Sequence, residues 1–531
     1  MVPLDYSQPY ASVRSPVMGR AAIATSQPLA SMAGMEMLAA GGNAVDAAIA
    51  AAMTLTVVEP TGCGIGSDAF AIVWDGARLH GLNASGRSPA AWNVERFNDK
   101  EQMPQRGWGS VTVPGAVSAW SELSRRFGRL SLCQVAVPAI RHARHGYPVT
   151  PIIARLWARG AALLSSQPGF AECFMPAGRA PHPGELFRSE AHARTLEIIA
   201  ASNGEAFYRG QLADSIVTNA KCHGALLVHD DMARHQPEWV STLSQGFGRA
   251  IIHELPPNGQ GIAALMGLGI FQAIGHRGAS AEDPYEVHCL IEAAKLALVD
   301  LYRYLGDPDH MAVQAPALLD PAYLAARARQ IDPARAADPR HGIPTQGGTV
   351  CLSAADESGL MISFIQSNYM GFGSGVVVPG TGISLQNRGA SFVVAKGHPN
   401  QVGPLKRPFH TVIPGFVMNP DGSPWMAFGL MGGPMQAQGH MQLVNRIVSH
   451  AQNPQAAVDA PRWRILSGRR IAVEATMAPS LIEGLRSRGH EISVDPSDTN
   501  FGFGGAQAII RSEHAYVAGS DPRKDGQALA R

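Results

Sequence analysis

The chain has 531 residues, 46% of them hydrophobic, with 43 lysines and arginines against 42 aspartates and glutamates. A net charge of +1 and a charged fraction of only 16% provide no field to gather nucleic acid or another polyanion, and that hydrophobicity excludes a disordered chain. At about 150 residues per domain the length predicts three or four domains, and 57 glycines with 38 prolines predict many tight turns.

The amino-terminal residues 1–20 are polar, with no basic stretch followed by an apolar one, so no secretory leader is expected. Leu29 to Ala40 reads as a helix stopped by Gly41-Gly42. Asn43 then reads as the cap of a second, alanine-rich helix with Asp46 in its first turn, and the small side chains predict close packing. The longest apolar run, 47–58, is too short for a bilayer, which takes about 20 residues, so no membrane partner is expected and the expected location is the cytoplasm. The glycine run at Gly62 to Gly66 leads into a strand over Ala69 to Trp74. Apolar side chains at Val287, Leu290, Ile291, Ala294, Leu298, Leu301 and Leu305 keep a helical period, which predicts a helix over 285–305. The stretch 308–348, rich in Pro, Ala, Asp and Arg, predicts surface helix and loop.

The texture changes at Thr349. Two strands over 349–354 and 360–366, joined by a turn at Asp356-Glu357-Ser358-Gly359, carry apolar residues on both faces. Sheets buried on both faces belong in layered architectures with helices outside. Further strands are expected in 392–417 and 470–518, with two helices between. Six scattered cysteines (Cys63, Cys133, Cys173, Cys222, Cys289, Cys351) without a CxxC pair predict buried thiols rather than a disulfide framework. The adjacent pairs Cys222-His223 and His288-Cys289 are poor geometry for one metal, and neither a metal nor a cofactor is expected. There is no GxSxG elbow, HExxH, P-loop or EF-hand motif.

Gly347-Gly348-Thr349-Val350 opens the strand run, and a threonine there is on its own merely a good strand former. Its neighbours change the reading. Ordered matches run through Gly41 to Ala48, Val58-Glu59-Pro60, Val113-Pro114-Gly115, Phe207 to Gly210, Pro256-Pro257-Asn258-Gly259 and Arg303 to Pro308. They continue through Phe372 to Gly375, Pro379 to Gly382, Met431-Gly432-Gly433 and Asp459 to Arg462. With these the chain resembles, from about Ala22 to Ala518, the γ-glutamyltranspeptidase family of N-terminal-nucleophile hydrolases. The resemblance implies an α+β fold, an αββα four-layer sandwich, made as a proenzyme. Thr349 would attack the Gly348–Thr349 bond, leaving residues 1–348 as a large segment and 349–531 as a small one. Together these form one domain in place of three or four, a heterodimer of the chain's own pieces or a dimer of such heterodimers. The chemistry is sound in itself. A threonine hydroxyl is a weak nucleophile that needs a base, and a freed α-amine, with an unperturbed pKa of about 7.7–8.0, supplies one on the same residue. By position the resemblance makes Ser367 the hydroxyl that bonds the nucleophile's amine, and gives the N–H groups of Gly432 and Gly433 the oxyanion hole.

The substrate pocket departs from the transpeptidase pattern. Ser85 stands where the family has an arginine, with Arg87 two residues on; Tyr369 replaces an asparagine, Ser391 an aspartate, and His410-Thr411 a serine pair. The aspartate that would neutralise a substrate ammonium is absent, while Arg388 stands three residues before its position. A buried unpaired ammonium is costly, so the substrate is expected to lack an α-amine and to be held by an anionic end on Arg87 or Arg388. These departures resemble the amidohydrolase branch of the family. They predict hydrolysis of a small carboxylate-bearing amide such as oxamate, to oxalate and ammonia. The alternatives are a γ-glutamyl hydrolase or transferase acting on glutathione-like compounds, and a cephalosporin-type side-chain acylase.

Overall fold

The glycine stop and the asparagine cap form where the residues call for them. The structure, a computed structural model, describes residues 13–275, 278–339, 348–495 and 502–531, with 348 and 349 described by backbone alone. Helix α1 spans Pro28–Ala39 and α2 spans Ala44–Val58. The N–H groups of Val45 and Asp46 donate to Asn43 Oδ1, and the Asn43 N–H donates to Asp46 Oδ2 at 2.9 Å, a reciprocal cap. Every residue of α2 is buried. A Cβ on Gly34 would stand 2.9 Å from the Ala47 carbonyl oxygen, so small residues are what let the two helices approach.

The strands of the two large sheets are, in the first half of the chain, β1 (Val17–Gly19), β2 (Ala22–Thr25), β3 (Asp68–Trp74), β4 (Leu79–Asn83), β5 (Glu238–Val240), β6 (Leu243–Phe247) and β7 (Ala250–Glu254). The second half adds β8 (Gly348–Ala355), β9 (Met361–Tyr369), β10 (Pro414–Met418), β11 (Pro424–Met431), β12 (Gly505–Arg511), β13 (Tyr516–Ser520) and β14 (Gln527–Ala530). They form two seven-stranded sheets, ordered β1-β13-β12-β11-β10-β7-β6 and β14-β2-β8-β9-β3-β4-β5. Both sides of residue 348 contribute strands to each sheet, and β8 lies inside the second, between β2 and β9.

The period-2 alternation builds the layers. Val350, Leu352, Ala354, Ile362 and Phe364 turn outward and pack under α1 and α2. Cys351, Ala355, Ile365, Phe70 and Ile72 turn inward to meet Phe416, Ala427, Met431 and Ile509 of the other sheet. The far faces of β10, β11 and β12 are covered by α3 (Gly261–Ile274), α4 (Pro284–Tyr304) and α5 (Met435–Val444). The result is helix, sheet, sheet, helix.

Two expectations need correction. Strand over 392–417 reduces to β10, because the chain before it is held by side chains rather than by a ladder. Asn400 donates to the Ser391 carbonyl at 2.6 Å and accepts the Phe409 N–H at 2.9 Å. Of the six cysteines, Cys63, Cys289 and Cys351 are buried, but Cys133 and Cys222 are exposed and Cys173 is intermediate. Cys133 and Cys222 lie on surface helices, where spacing along the chain carries no burial signal. Among the described residues no helix is long and apolar enough to cross a membrane.

Candidate active site

Strand β8 begins where the resemblance places the nucleophile. Gly348 pairs with Tyr369 and Val350 with Gln366, and the register shifts between them, so Ser367 and Asn368 lie opposite Thr349. On the next strand Ser367 pairs with Asp68. At about 4.8 Å per strand, the backbones of Thr349, Ser367 and Asp68 form a row about 10 Å long. The Thr349 side chain and Gly347 lie outside the described residues. The Ser367 hydroxyl oxygen accepts the Tyr369 N–H at 2.8 Å.

The opposite sheet presents a glycine turn. Past the end of β11, Gly432 holds φ +135° and Gly433 φ +60°, and a Cβ on Gly432 would come within 3.0 Å of the Gly504 Cα. Neither N–H donates to a described residue. Gln260 fixes the turn, its Nε2 donating to the Gly433 carbonyl at 2.8 Å and to the Thr411 carbonyl at 2.7 Å. Two fixed, unspent amide donors are what an oxyanion hole requires.

Between these lies Arg388, fully buried. Its Nη1 donates to Thr411 Oγ1 at 2.9 Å, and Cζ sits 4.2 Å from the centroid of the Tyr369 ring. Tyr369 holds φ +78°, a left-handed backbone that costs a side chain about 1–3 kcal/mol and clusters at ligand sites. The Nε and Nη2 of Arg388 are buried with no hydrogen-bond partner among the described residues. Burial draws the guanidinium down to about 10, opposed by Tyr369 and Asp68, so it stays a cation at neutral pH. A buried cation with two N–H groups left open is expensive unless something accepts them, and those two donors form the fork that a carboxylate fits.

The other pocket candidates divide. Arg87 is elsewhere engaged, its Nη1 donating to Asp307 Oδ2 at 3.1 Å and to the Leu405 carbonyl at 3.0 Å, with Glu238 3.5 Å from Nη2. Ser391 Oγ lies 2.7 Å from the Arg388 carbonyl and 2.6 Å from the Phe409 carbonyl, its one proton shared between them, and so pins the turn that carries Arg388. His410 Nδ1 accepts the Val412 N–H at 3.2 Å, so the proton is on Nε2, which donates to Asp68 Oδ2 at 3.2 Å. The ring is neutral: burial and the nearby Arg388 hold it well below the ordinary histidine range.

Three residues went unassigned in the sequence reading. Asp68 is fully buried, and its Oδ1 accepts the N–H groups of Gly115 at 3.0 Å and Gly86 at 3.3 Å. Burial pushes its carboxyl up to about 7 against the pull of Arg388. Asn258 accepts the His410 N–H at 2.9 Å and donates to the Pro408 carbonyl at 2.7 Å, and with Gln260 it clamps the segment bearing His410 and Thr411. The Pro256 to Gly259 motif was visible, but a clamp across 150 residues is not. Among the described residues, His288, Glu292 and His490 bring three possible ligand atoms within 4.8 Å of one another. The Lys295 ammonium already sits 2.7 Å from Glu292 Oε1 and repels a second cation, which makes this an ion-paired structural cluster.

The model of the family described as gamma-glutamyltranspeptidase matches residues 30–531. The chain is 35% identical over 512 residues to the "Glutathione hydrolase-like YwrD proenzyme" of Bacillus subtilis, covering 94% of this chain and 96% of that one. It is equally 35% identical, over 514 residues and the same shares, to the "Oxamate amidohydrolase proenzyme" of Klebsiella pneumoniae. Among solved structures, the cephalosporin acylase of Bacillus halodurans is 45% identical and superposes with a TM-score of 0.95 over 100% of this chain and 99% of that one.

Proposed function

Because the chain belongs to the γ-glutamyltranspeptidase family, and is a hydrolase of its N-terminal-nucleophile type, we propose that it cleaves itself at Gly348–Thr349 and then hydrolyses an amide whose acyl part carries a carboxylate. Oxamate is the smallest such amide. The observation that carries this reading is the buried Arg388 with Nε and Nη2 unpartnered. In the mature enzyme the Thr349 α-amine takes the hydroxyl proton as Oγ attacks the amide carbon. The tetrahedral oxyanion forms against the N–H groups of Gly432 and Gly433. The amine returns the proton to the leaving nitrogen, which departs as ammonia. Water then attacks the acyl-enzyme by the same base, releasing the dicarboxylate and restoring Thr349.

The 45% likeness to a cephalosporin acylase favours a second reading, a longer carboxylated acyl group on the same arginine. A γ-glutamyl group fits less well. Its ammonium would meet Ser391, a neutral hydroxyl where a counter-charge is required.

The test is a chain-length series (oxamate, malonamate, succinamate, glutaramate) set beside a γ-glutamyl anilide and a cephalosporin side-chain amide. One carboxylate amide is expected to exceed the γ-glutamyl compound in kcat/KM by about 10²-fold, the scale of one charged hydrogen-bonding site. Efficient γ-glutamyl release, or equal turnover of uncharged amides, overturns the reading.

A further inference from the structure

Asp68 and Arg388 are both fully buried, one on the first residue of β3 and the other on the short turn at Arg388–Ser391. Among the described residues, the charged and titratable groups facing Asp68 are few. Arg407 has its charge answered by Glu238 at 2.6 Å. Tyr208 is uncharged, donating its hydroxyl to the Pro114 carbonyl at 2.9 Å, with burial holding it well above the ordinary tyrosine range. His410 is neutral in the tautomer derived above. Arg388, bonded to Thr411 while Asp68 is bonded to the adjacent His410, is therefore the unanswered cation beside Asp68, and it is also the group that the proposed function assigns to the substrate. Two carboxylates sharing one cation away from water cannot both stay ionised cheaply.

Resting on that carboxylate reading, we propose that Asp68 is a specificity-determining residue that takes up one proton when a carboxylate occupies the Arg388 fork, so that this pocket binds its anionic substrate together with a proton. The geometry gives the proton a place. Oδ1 accepts two backbone N–H groups, whereas Oδ2 accepts only the His410 Nε2–H and keeps a lone pair. The proton comes from solvent and adds to Oδ2, no bond to carbon changes, and the charge in the pocket is the same before and after binding. A zwitterionic amide, bringing its own ammonium, requires no such proton. In the empty site the Asp68 carboxyl is held at about 7, so the uptake falls in the working range of pH. The sign follows: binding favours the protonated form, so KM for a carboxylate amide rises as pH climbs through 7.

The experiment is calorimetry of oxalate binding to the cleaved enzyme at pH 8, in buffers of different ionisation enthalpy, for the wild type and Asp68→Asn. The wild type is expected to take up close to one proton more per oxalate than the variant. The wild-type KM for oxamate should also rise, relative to the variant, about fivefold between pH 7 and 8 and about tenfold per unit above. The kcat profile, governed by the Thr349 amine, should rise with pH alike in both. Equal proton counts overturn the role of Asp68 alone, while absence of oxalate binding to the wild type overturns the carboxylate pocket and this role with it. Should Asp68→Asn fail to fold, wild-type uptake measured from pH 5.5 to 7.5 decides: it should climb from near zero with a midpoint near 7, and a flat profile overturns the proposal.

Discussion

Two of the places where this molecule buries a cationic side chain solve the problem in opposite ways. Beneath α4, the Lys295 ammonium is fully answered: Glu292 lies 2.7 Å away, the Ala337 carbonyl accepts at 2.9 Å, and Glu292 in turn accepts the Ala337 N–H. His490 and His288 complete the cluster as neutral rings, because His288 Nε2 must donate to the Asp332 carbonyl and Nδ1 is thereby left to accept from His490. At the inter-sheet site Arg388 has one hydroxyl partner, an aromatic face and two open donors. The first arrangement is complete within the protein and ties residues 332–337 to the body. The second is complete only with an acceptor from outside. A buried charge is a functional signal when its hydrogen bonds fail to close, and not merely because it is buried.

That contrast can be attacked directly. The largest effect is expected at the nucleophile: Thr349→Ala should leave the chain at 56.2 kDa on denaturing electrophoresis, where the wild type gives pieces of roughly 37 and 19 kDa in proportion to 348 and 183 residues. Amide turnover should fall by at least about 10⁴-fold. Turnover surviving in the uncleaved variant would remove the nucleophile from the site. Next, Lys295→Met leaves Glu292 as an unpaired buried carboxylate and should cost about 3–5 kcal/mol in chemical denaturation, with KM unaltered. A changed KM would mean that the two regions are not separable. Arg388→Met should raise KM for a carboxylate amide by about 10²-fold while self-cleavage, which uses no external carboxylate, proceeds. Equal loss of both would make Arg388 structural, like Lys295. Smallest of all, Arg87→Ala removes a pairing that is about one-third exposed on the arginine side, and KM should stay within about twofold, since such pairs contribute little. A shift as large as that at Arg388 would reverse the assignment of the two arginines.

Some of this was legible without coordinates because it is local. The cap at Asn43, the stop at Gly41-Gly42, the helix carrying the Val287 to Leu305 period and the hairpin after residue 348 depend on neighbours within a few positions. Here the physics is hydrogen bonding and side-chain period along one segment. The irregular stretch before β10 was misread for the converse reason, since Asn400, not a strand partner, holds it.

The amino-acid sequence by itself determined the family, the strand that opens at Thr349, the glycine pair after β11, and the fact that two arginines competed for one role. Only the tertiary structure sets those arginines apart. Arg87 finds Asp307 from 220 residues away and Glu238 from 151, and its charge is answered there, whereas Arg388 is folded into a place that leaves two donors open. Asp68 became visible for the same reason. Its ordinary acidity is overturned by burial beside Arg388 and His410, a juxtaposition of segments more than 300 residues apart. Burial and charge pairing are properties of the closed sandwich, and no window along the chain contains them.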